Sequence, residues 1–134
     1  MKTILTLCAA IVVAAIAVFA WQFSKREDHF GKSFIGLPAA AIPEIVAKPD
    51  AFLGKQVSIQ GKLMRQCPST GCWFYVVNPA DPKAQELKVE MGDTTPRLPA
   101  RLGKIAHVEG QLIKYGEGYE FIGVAVTFSE EHKP

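Results

Sequence analysis

The sequence lacks the short motifs that mark the common classes of enzyme active site. It contains no nucleophile elbow of a hydrolase, no phosphate-binding loop, no dinucleotide-binding glycine motif and no zinc-binding helix of the His-Glu type. Cysteine is scarce, with 3 in 134 residues, and a zinc site of four ligands would need a second clustered pair that is absent. We therefore expect no enzyme, unless two of the cysteines cycle between thiol and disulfide.

Charge is missing from one long segment near the start of the chain. Residues 4–23 carry no charged side chain, and ~20 apolar residues at ~1.5 Å each cross the ~30 Å hydrocarbon core of a bilayer. We expect residues 1–24 to form a transmembrane signal anchor that contacts the membrane through residues 4–23. Trp21 is typical of an aromatic residue at the membrane interface. The alternative is a signal peptide cleaved after Ala20, although the run is longer than the ~7–15 apolar residues usual for one.

Net charge is also small, which excludes a class of partner. All charged residues except Lys2 lie after Phe23, and the acidic and basic residues there nearly balance. A domain without a strong overall field has no general attraction for nucleic acid. Both alternatives for the first segment place this domain outside the cytoplasm, which also argues against nucleic acid as a partner.

The rest of the chain divides into a linker and one small domain. Residues 25–41 mix charge with glycine and proline, which predicts a linker, and residues 42–130 form the domain. Pro43 and the spacing of Ile42 and Ile45 predict a short helix at the start of the domain. Period-two alternation and runs of aromatic and β-branched residues then predict five strands, at residues 57–64, 72–77, 86–91, 104–113 and 119–128.

Alternation along two of these strands predicts which side chains share a face. In the third strand Leu87, Val89 and Met91 are expected to point inward. In the fifth strand Ile122, Val124, Val126 and Phe128 are expected to lie on one face.

An internal repeat relates the first and fourth predicted strands. The segments LGKQVSIQGKL (53–63) and LGKIAHVEGQL (102–112) share Leu, Gly, Lys, Gly and Leu at equal positions. A glycine inside a strand, here Gly61 and Gly110, often marks a bulge or bend, which a small closed barrel needs. We therefore predict an all-β domain, a five-stranded OB-like Greek-key barrel with a short N-terminal helix, preceded by one transmembrane helix. A five-stranded open sheet is the alternative.

Three segments together carry a resemblance to a known group of proteins. The combination FLGKQVSIQGKL, CPSTGCWF and LPARLGKIAHVEGQL, which spans residues 42 to 112, resembles small exported bacterial OB-fold proteins of uncharacterised function. The resemblance implies an exported OB-like domain. Together with the first segment, it leads us to expect a single-pass protein of the bacterial inner membrane with its C-terminal domain in the periplasm, or a secreted or periplasmic protein if the first segment is cleaved. The layout is also similar to that of the haem chaperone of cytochrome c maturation, but neither His107 nor His132 lies in the haem-binding motif of that family.

The hairpin between the first two predicted strands holds the pair Cys67 and Cys72. Pro68 and Gly71 are typical of a short turn. Residues that face each other across a hairpin have Cα atoms ~4.5–5.5 Å apart, within the ~4.4–6.8 Å range of a disulfide. An oxidising compartment favours such a bond. We expect a structural Cys67–Cys72 disulfide, and a reversible dithiol that exchanges with a partner is an alternative.

A copper site is the third interpretation of the same pair. Two thiolates with a thioether suit Cu(I), and the further donors proposed for Cys67 and Cys72 are Met64 and His107. Met64 is alternatively an apolar cover beside the hairpin, and His107 an exposed histidine on a strand. Apart from Cu(I), we expect no cofactor.

Aromatic residues follow the hairpin directly. Rings beside basic residues stack ligands on OB-type sheets, so Trp73 and Tyr75, with Lys62 and Arg65 before them, are candidates for a ligand or partner surface. Alternatively, the aromatic block is core on one face and covers the hairpin on the other. Together the patterns predict a membrane-anchored extracytoplasmic binding or accessory module with a protein partner in the cell envelope. The alternatives are a thiol-disulfide redox module and a periplasmic Cu(I)-binding protein.

Overall fold

The computed structural model describes residues 1–24, 28–68, 73–92 and 98–130. The chain begins with helix α1 (Lys2–Ser24), in which the stretch Lys2–Gln22 has a mean hydropathy of 2.7. None of that stretch is buried against the rest of the protein. As expected from the sequence, α1 is long and apolar enough to span a membrane; a signal sequence near the N-terminus has the same properties.

Two short helical segments and six strands follow in the part of the chain that the structure describes. Helix α2 (Ile42–Ala47) has proline in its first turn, and a single 3-10 turn occupies Pro49–Ala51. The strands are β1 (Asp28–Gly31), β2 (Gln56–Gln66), β3 (Trp73–Val77), β4 (Leu87–Met91), β5 (Ile105–Tyr115) and β6 (Gly118–Ser129). The five predicted strands correspond to β2 through β6, with shifts of up to two residues at their ends.

Five of the strands close into a barrel. Their order is β2–β3–β4–β6–β5, and β5 returns to β2. All neighbours are antiparallel except β4 and β6, which run parallel. The chain therefore crosses the barrel between β4 and β5 before it returns beside β4, which makes a Greek key. The predicted five-stranded OB-like barrel is confirmed.

The strand β1 was not predicted, because it lies in the segment 25–41, whose composition predicts a linker. β1 pairs antiparallel with residues 125–128 of β6, beyond the point where β4 stops pairing with that strand. A strand of 4 residues is too short to show alternation. β6 extends beyond the end of β4, which leaves its edge unpaired there. Residues 28–31 pair with this edge and so belong to the sheet.

The segment after β1 is tied to the barrel by a buried carboxylate. Glu109 on β5 is 3% exposed, and its oxygens accept hydrogen bonds from the backbone N–H groups of Ile35, Gly36 and Leu37 at 2.8–3.0 Å. Burial alone would raise the pKa of Glu109, but these three donors outweigh it, so the pKa lies below its ordinary value. This part of the predicted linker is therefore also held against the barrel.

The barrel interior is filled by aromatic and branched side chains, and α2 covers one side of it. The largest fully buried side chains include Phe74, Phe121, Ile42, Ile45, Ile59, Leu63 and Leu112. In β4, the buried residues are Leu87, Val89 and Met91, as the alternation predicted. The core is thus one continuous cluster that the short helix shares with the strands.

A bulge reverses the inner and outer faces half-way along β6. The register between β5 and β6 shifts at Gly110, which leaves Val124 as the extra residue. Beyond this bulge Val126 and Phe128 are buried. Val124 in the bulge and Ile122 before it lie outside, so the prediction that these four residues share one face was wrong. The reason is geometric, since one inserted residue moves every later side chain to the other face.

The two glycines of the internal repeat have different roles. Gly110 lies at the β5–β6 bulge, as predicted. The bulge in β2 lies at Met64 and not at Gly61. A Cβ on Gly61 would lie 2.5 Å from Ile42 Cδ1 and 2.9 Å from Val76 Cβ. Glycine is needed there because α2 packs directly against β2.

Candidate functional site

A row of side chains on the outside of the barrel begins at the bulge in β2. The extra residue, Met64, places Arg65 opposite Tyr75 of β3. The guanidinium of Arg65 lies 4.1 Å from the centre of the Tyr75 ring, and its Nε and Nη2 donate to Oε2 of Glu86 at 3.0 and 2.8 Å. This cation is both stacked on an aromatic ring and neutralised by a carboxylate.

The row continues on β4 with Lys88, which pairs with Tyr75. The Nζ of Lys88 lies 6.0 Å from the ring centre of Trp73 and 5.9 Å from that of Tyr115. The rings of Trp73 and Tyr75 meet edge to face, with centroids 5.6 Å apart. Tyr115, at the end of β5, is 67% exposed. We call Arg65, Trp73, Tyr75, Lys88 and Tyr115 the aromatic face.

A buried carboxyl group lies beside Lys88 of the aromatic face. Glu120 on β6 is 2% exposed, and its Oε2 lies 3.7 Å from Lys88 Nζ, too far for a hydrogen bond. Within the part of the chain that the structure describes, this oxygen has no hydrogen-bond partner. Burial, a hydrogen bond to the Glu90 carboxyl and the charge of Glu90 raise the pKa of Glu120, and the smaller effect of Lys88 opposes them.

The charges of this region nearly cancel. Arg65 is paired with Glu86, and Lys88 lies beside Glu120. Glu90 adds a further carboxyl group next to Glu120. The aromatic face therefore offers phosphate groups no surplus of positive charge.

A groove of about 290 Å³ opens beside the aromatic face. Its apolar lining comes from α2, β4 and β5 and includes Ile45, Val46, Leu87 and Leu112. Tyr75, Glu86 and Lys88 are its polar lining, and Tyr119, which donates to Oδ1 of Asp50 at 2.7 Å, closes one side. A groove of this size and lining accepts one apolar side chain with its neighbours in a chain.

The predicted cysteine site is described only in part. Cys67 follows the end of β2, is half-buried, and its backbone N–H donates to the carbonyl of Trp73 at 3.1 Å. This bond continues the β2–β3 register and places Trp73 directly across the hairpin from Cys67. Cys72 lies outside the described residues, so the disulfide, dithiol and copper interpretations stay predictions.

The other predicted metal donors do not lie together. Met64 is exposed at the bulge of β2, whereas His107 pairs with Gln60, four residues earlier on that strand and therefore about 13 Å away. The ring of His107 stacks on Phe34 with centroids 4.8 Å apart, and its Nε2 lies 3.0 Å from Ser58 Oγ. Among the described residues, no group of three or more His, Cys, Asp or Glu side chains is placed to hold a metal ion.

Three of the four predicted surface residues come together on the aromatic face, namely Trp73, Tyr75 and Arg65. Lys62 lies apart from them, since it pairs with Val77, two residues beyond Tyr75 on β3. Sequence reasoning missed Lys88, Tyr115 and Glu120. A signal for Glu120 was present, because an acidic residue in phase with the apolar face predicted for β6 conflicts with that alternation.

The disulfide prediction is directly testable on the purified full-length protein. We expect alkylation without reductant to label Cys8 alone, and alkylation after reduction to label Cys67 and Cys72 as well. Because the closed loop is short, Cys67→Ser should lower the free energy of unfolding by no more than about 2 kcal/mol, with Cys8→Ser as the neutral control. Labelling of Cys67 and Cys72 without reductant would show the prediction to be wrong. A potential well below about −300 mV would exclude the redox alternative.

No protein-family model matches this sequence, and no curated protein is similar to it at a significant level. The resemblance to exported bacterial OB-fold proteins therefore stays a prediction.

Proposed function

We propose that this protein is a membrane-anchored OB-fold module that binds a protein partner outside the cytoplasm. The observation that carries the proposal is the aromatic face, where three rings and two cations lie side by side on the outside of a closed barrel. Aromatic residues and arginine are enriched at the centres of protein interfaces, where they contribute most of the binding energy. The role of α1 in this proposal is to hold the module at the membrane.

The charge of the aromatic face favours a protein over a polyanion. Its cations, Arg65 and Lys88, lie against Glu86 and Glu120, and Glu90 adds a further carboxyl group. A nucleic-acid phosphate chain needs unpaired positive charge along its path. A partner protein can instead meet this mixture of charges with complementary ones, which gives orientation and specificity.

The groove supplies the second element of a protein interface. It lies next to Tyr75 and Lys88 and is apolar at its base. Binding energy in such interfaces is concentrated where an apolar or aromatic side chain fills a dry pocket beside polar groups. The proposed partner therefore places one apolar side chain in the groove and covers the aromatic face with the residues beside it.

The proposed location follows from the anchor and from the expected disulfide. A single apolar helix close to the N-terminus is compatible with a single pass of a bacterial inner membrane, with the barrel in the periplasm. An oxidising compartment is where a Cys67–Cys72 bond persists. The partner is then an envelope protein or complex, and the module is an accessory to it.

Site-specific photocrosslinking in living cells tests this function. A photoreactive amino acid in place of Tyr115 should give one defined adduct, because this exposed position borders the interface. The same residue in place of Gln60, exposed on the other side of the barrel between β2 and β5, should give none. Adducts of equal yield from both positions, or no adduct from Tyr115, would contradict the proposal.

A second substitution shows whether the aromatic face carries the binding energy. Trp73→Ala in the chain with the crosslinker at position 115 should lower the adduct yield roughly tenfold, as loss of an interface aromatic does. Ile35→Ala is the matched control, since Ile35 is an exposed apolar residue away from this face. Equal yields in the two variants would mean that the face does not carry the binding.

A further inference from the structure

The barrel is tethered very closely to the end of α1. The helix ends at Ser24 and the sheet begins at Asp28. Four Cα–Cα steps of 3.8 Å separate these residues by roughly 15 Å at most. If α1 spans a bilayer, the first residue of the barrel sheet therefore lies within roughly 15 Å of the point where the helix leaves the bilayer.

The residue at the tether is bound to a short loop of the barrel. Asp28 forms an ion pair with Arg101, in which Nη2 donates to Oδ1 at 3.0 Å. The hydrogen bond from Arg101 holds the pKa of Asp28 below its ordinary value. Gln66 fixes the same loop, since its Nε2 donates to the Pro99 carbonyl at 2.9 Å and its Oε1 accepts from the Arg101 N–H at 3.0 Å.

This loop presents an exposed leucine on a tight turn. The Lys104 N–H donates to the Arg101 carbonyl at 3.1 Å, and the Gly103 N–H donates to the Leu63 carbonyl at 2.9 Å. Gly103 has φ of 82°, a conformation that side chains other than glycine rarely adopt. Leu102, at the tip, is 62% exposed. The turn is thus held rigidly, with its apolar side chain directed to the outside.

We propose that the turn at residues 101–104 contacts the bilayer that α1 spans, with Leu102 inserted at the interface. Leu102 is flanked by Arg101 and Lys104, whose charges are paired with Asp28 and Glu130. An apolar side chain between two cations that are already neutralised suits the headgroup region. Gly103 is hydrogen-bonded to Leu63, and the next residue, Met64, is also exposed. Met64 therefore extends the apolar contact. We assign this contact to a lipid surface because the short connection between α1 and β1 keeps the turn close to the bilayer.

This contact sets the orientation of the whole module. Lys104 directly precedes β5, and the first and last residues of that strand, Ile105 and Tyr115, are ten residues and up to about 33 Å apart. The end of β5 with its turn to β6 then points away from the membrane, where a partner reaches Tyr115. The inference rests on α1 being embedded and is independent of the proposed binding function.

Quenching of a single tryptophan by brominated lipid tests the contact in the full-length protein. The chain is placed in phosphatidylcholine nanodiscs with brominated acyl chains, in a Trp21→Phe, Trp73→Phe background. We expect Leu102→Trp to lose roughly twofold more of its emission than Glu117→Trp, which places the probe on the β5–β6 turn. Both sites are exposed, so the folded barrel accepts either probe, and far-UV circular dichroism checks that it has folded.

Two outcomes would overturn the inference. Equal quenching of the two probes, whether weak or strong, would mean that the barrel has no preferred face toward the bilayer. A chain that keeps only Trp21 reports on α1 itself and should be strongly quenched. If it is not, α1 is not embedded, the tether argument is removed, and the inference falls with it.

Discussion

Replacing Gly110 by alanine is expected to lower the free energy of unfolding by about 2–3 kcal/mol, near the upper end of the range for an overpacked site. A Cβ at this position would lie 2.8 Å from the carbonyl carbon of Ile122 and 2.9 Å from the Cα of Gly123. Real Cβ atoms do not approach backbone so closely, and a backbone held in the β5–β6 ladder cannot move aside as a flexible side chain can. The bulge that positions Glu109, Ile122 and Val124 would have to open.

Gly118→Ala is the matched control, since it changes the same pair of strands. A Cβ on Gly118 would meet only the Tyr115 carbonyl oxygen at 3.8 Å, an ordinary contact. Urea unfolding, followed by Trp73 fluorescence in the Trp21→Phe background, measures both variants. A difference of less than about 0.5 kcal/mol between them would contradict the close approach at Gly110.

Replacing Glu120 by glutamine is expected to raise the free energy of unfolding by about 1–3 kcal/mol at neutral to alkaline pH, the usual cost of a buried polar group without a partner. The carboxyl of Glu120 is buried beside Glu90, and one of its oxygens has no hydrogen-bond partner in the described part of the chain. Glutamine keeps the shape, removes the charge and supplies a donor toward Glu90.

The pH dependence of this difference follows from the direction of the pKa shift. Burial and Glu90 raise the pKa of Glu120 in the folded protein above the ordinary value of 4.5. Below pH 4.5 the group is protonated in both states and has no effect on stability. As the pH rises through the folded pKa, the unfolded chain releases the proton more readily, so the parent loses stability. The gain from Glu120→Gln should therefore grow over this range and then level off.

Urea unfolding over a series of pH values tests this prediction. Glu117→Gln, which removes an exposed carboxylate from the β5–β6 turn, is the control, and its stability difference from the parent should stay flat with pH. A second check is Glu90→Gln, which should move the change in the parent's stability to lower pH because it removes a group that raises the pKa of Glu120. If the stability difference between Glu120→Gln and the parent does not change with pH, the pKa of Glu120 is not raised in the folded protein.

The elements of the barrel were predictable because their signals are local. Alternation in residues 57–64 and 86–91, and the aromatic run after Cys72, depend only on which residues stand two apart. The absence of charge in residues 4–23 likewise marks α1 without any knowledge of the fold. The same locality accounts for the repeated Gly-Lys turns, which precede β2 and β5.

The candidate site was predictable only where its residues are close in sequence. Arg65, Trp73 and Tyr75 lie on one hairpin, so their proximity follows from the turn. Lys88 joins them through the pairing of β4 with β3, and Tyr115 because β6 lies between β4 and β5. No pattern in the chain records either arrangement. Likewise, the strand β1 forms only because β6 extends beyond the end of β4.

By itself the sequence determined an apolar helix long enough to span a membrane, five strands in their order along the chain and the glycine at the β5–β6 bulge, since these depend on composition and on spacing along the chain. The tertiary structure alone decided which residues share the outside of the barrel. A single extra residue at Val124 exchanged the two faces of β6, buried Glu120 beside Lys88 and placed Ile122 outside. Such a shift depends on pairing with β5, and pairing between strands is a property of three dimensions.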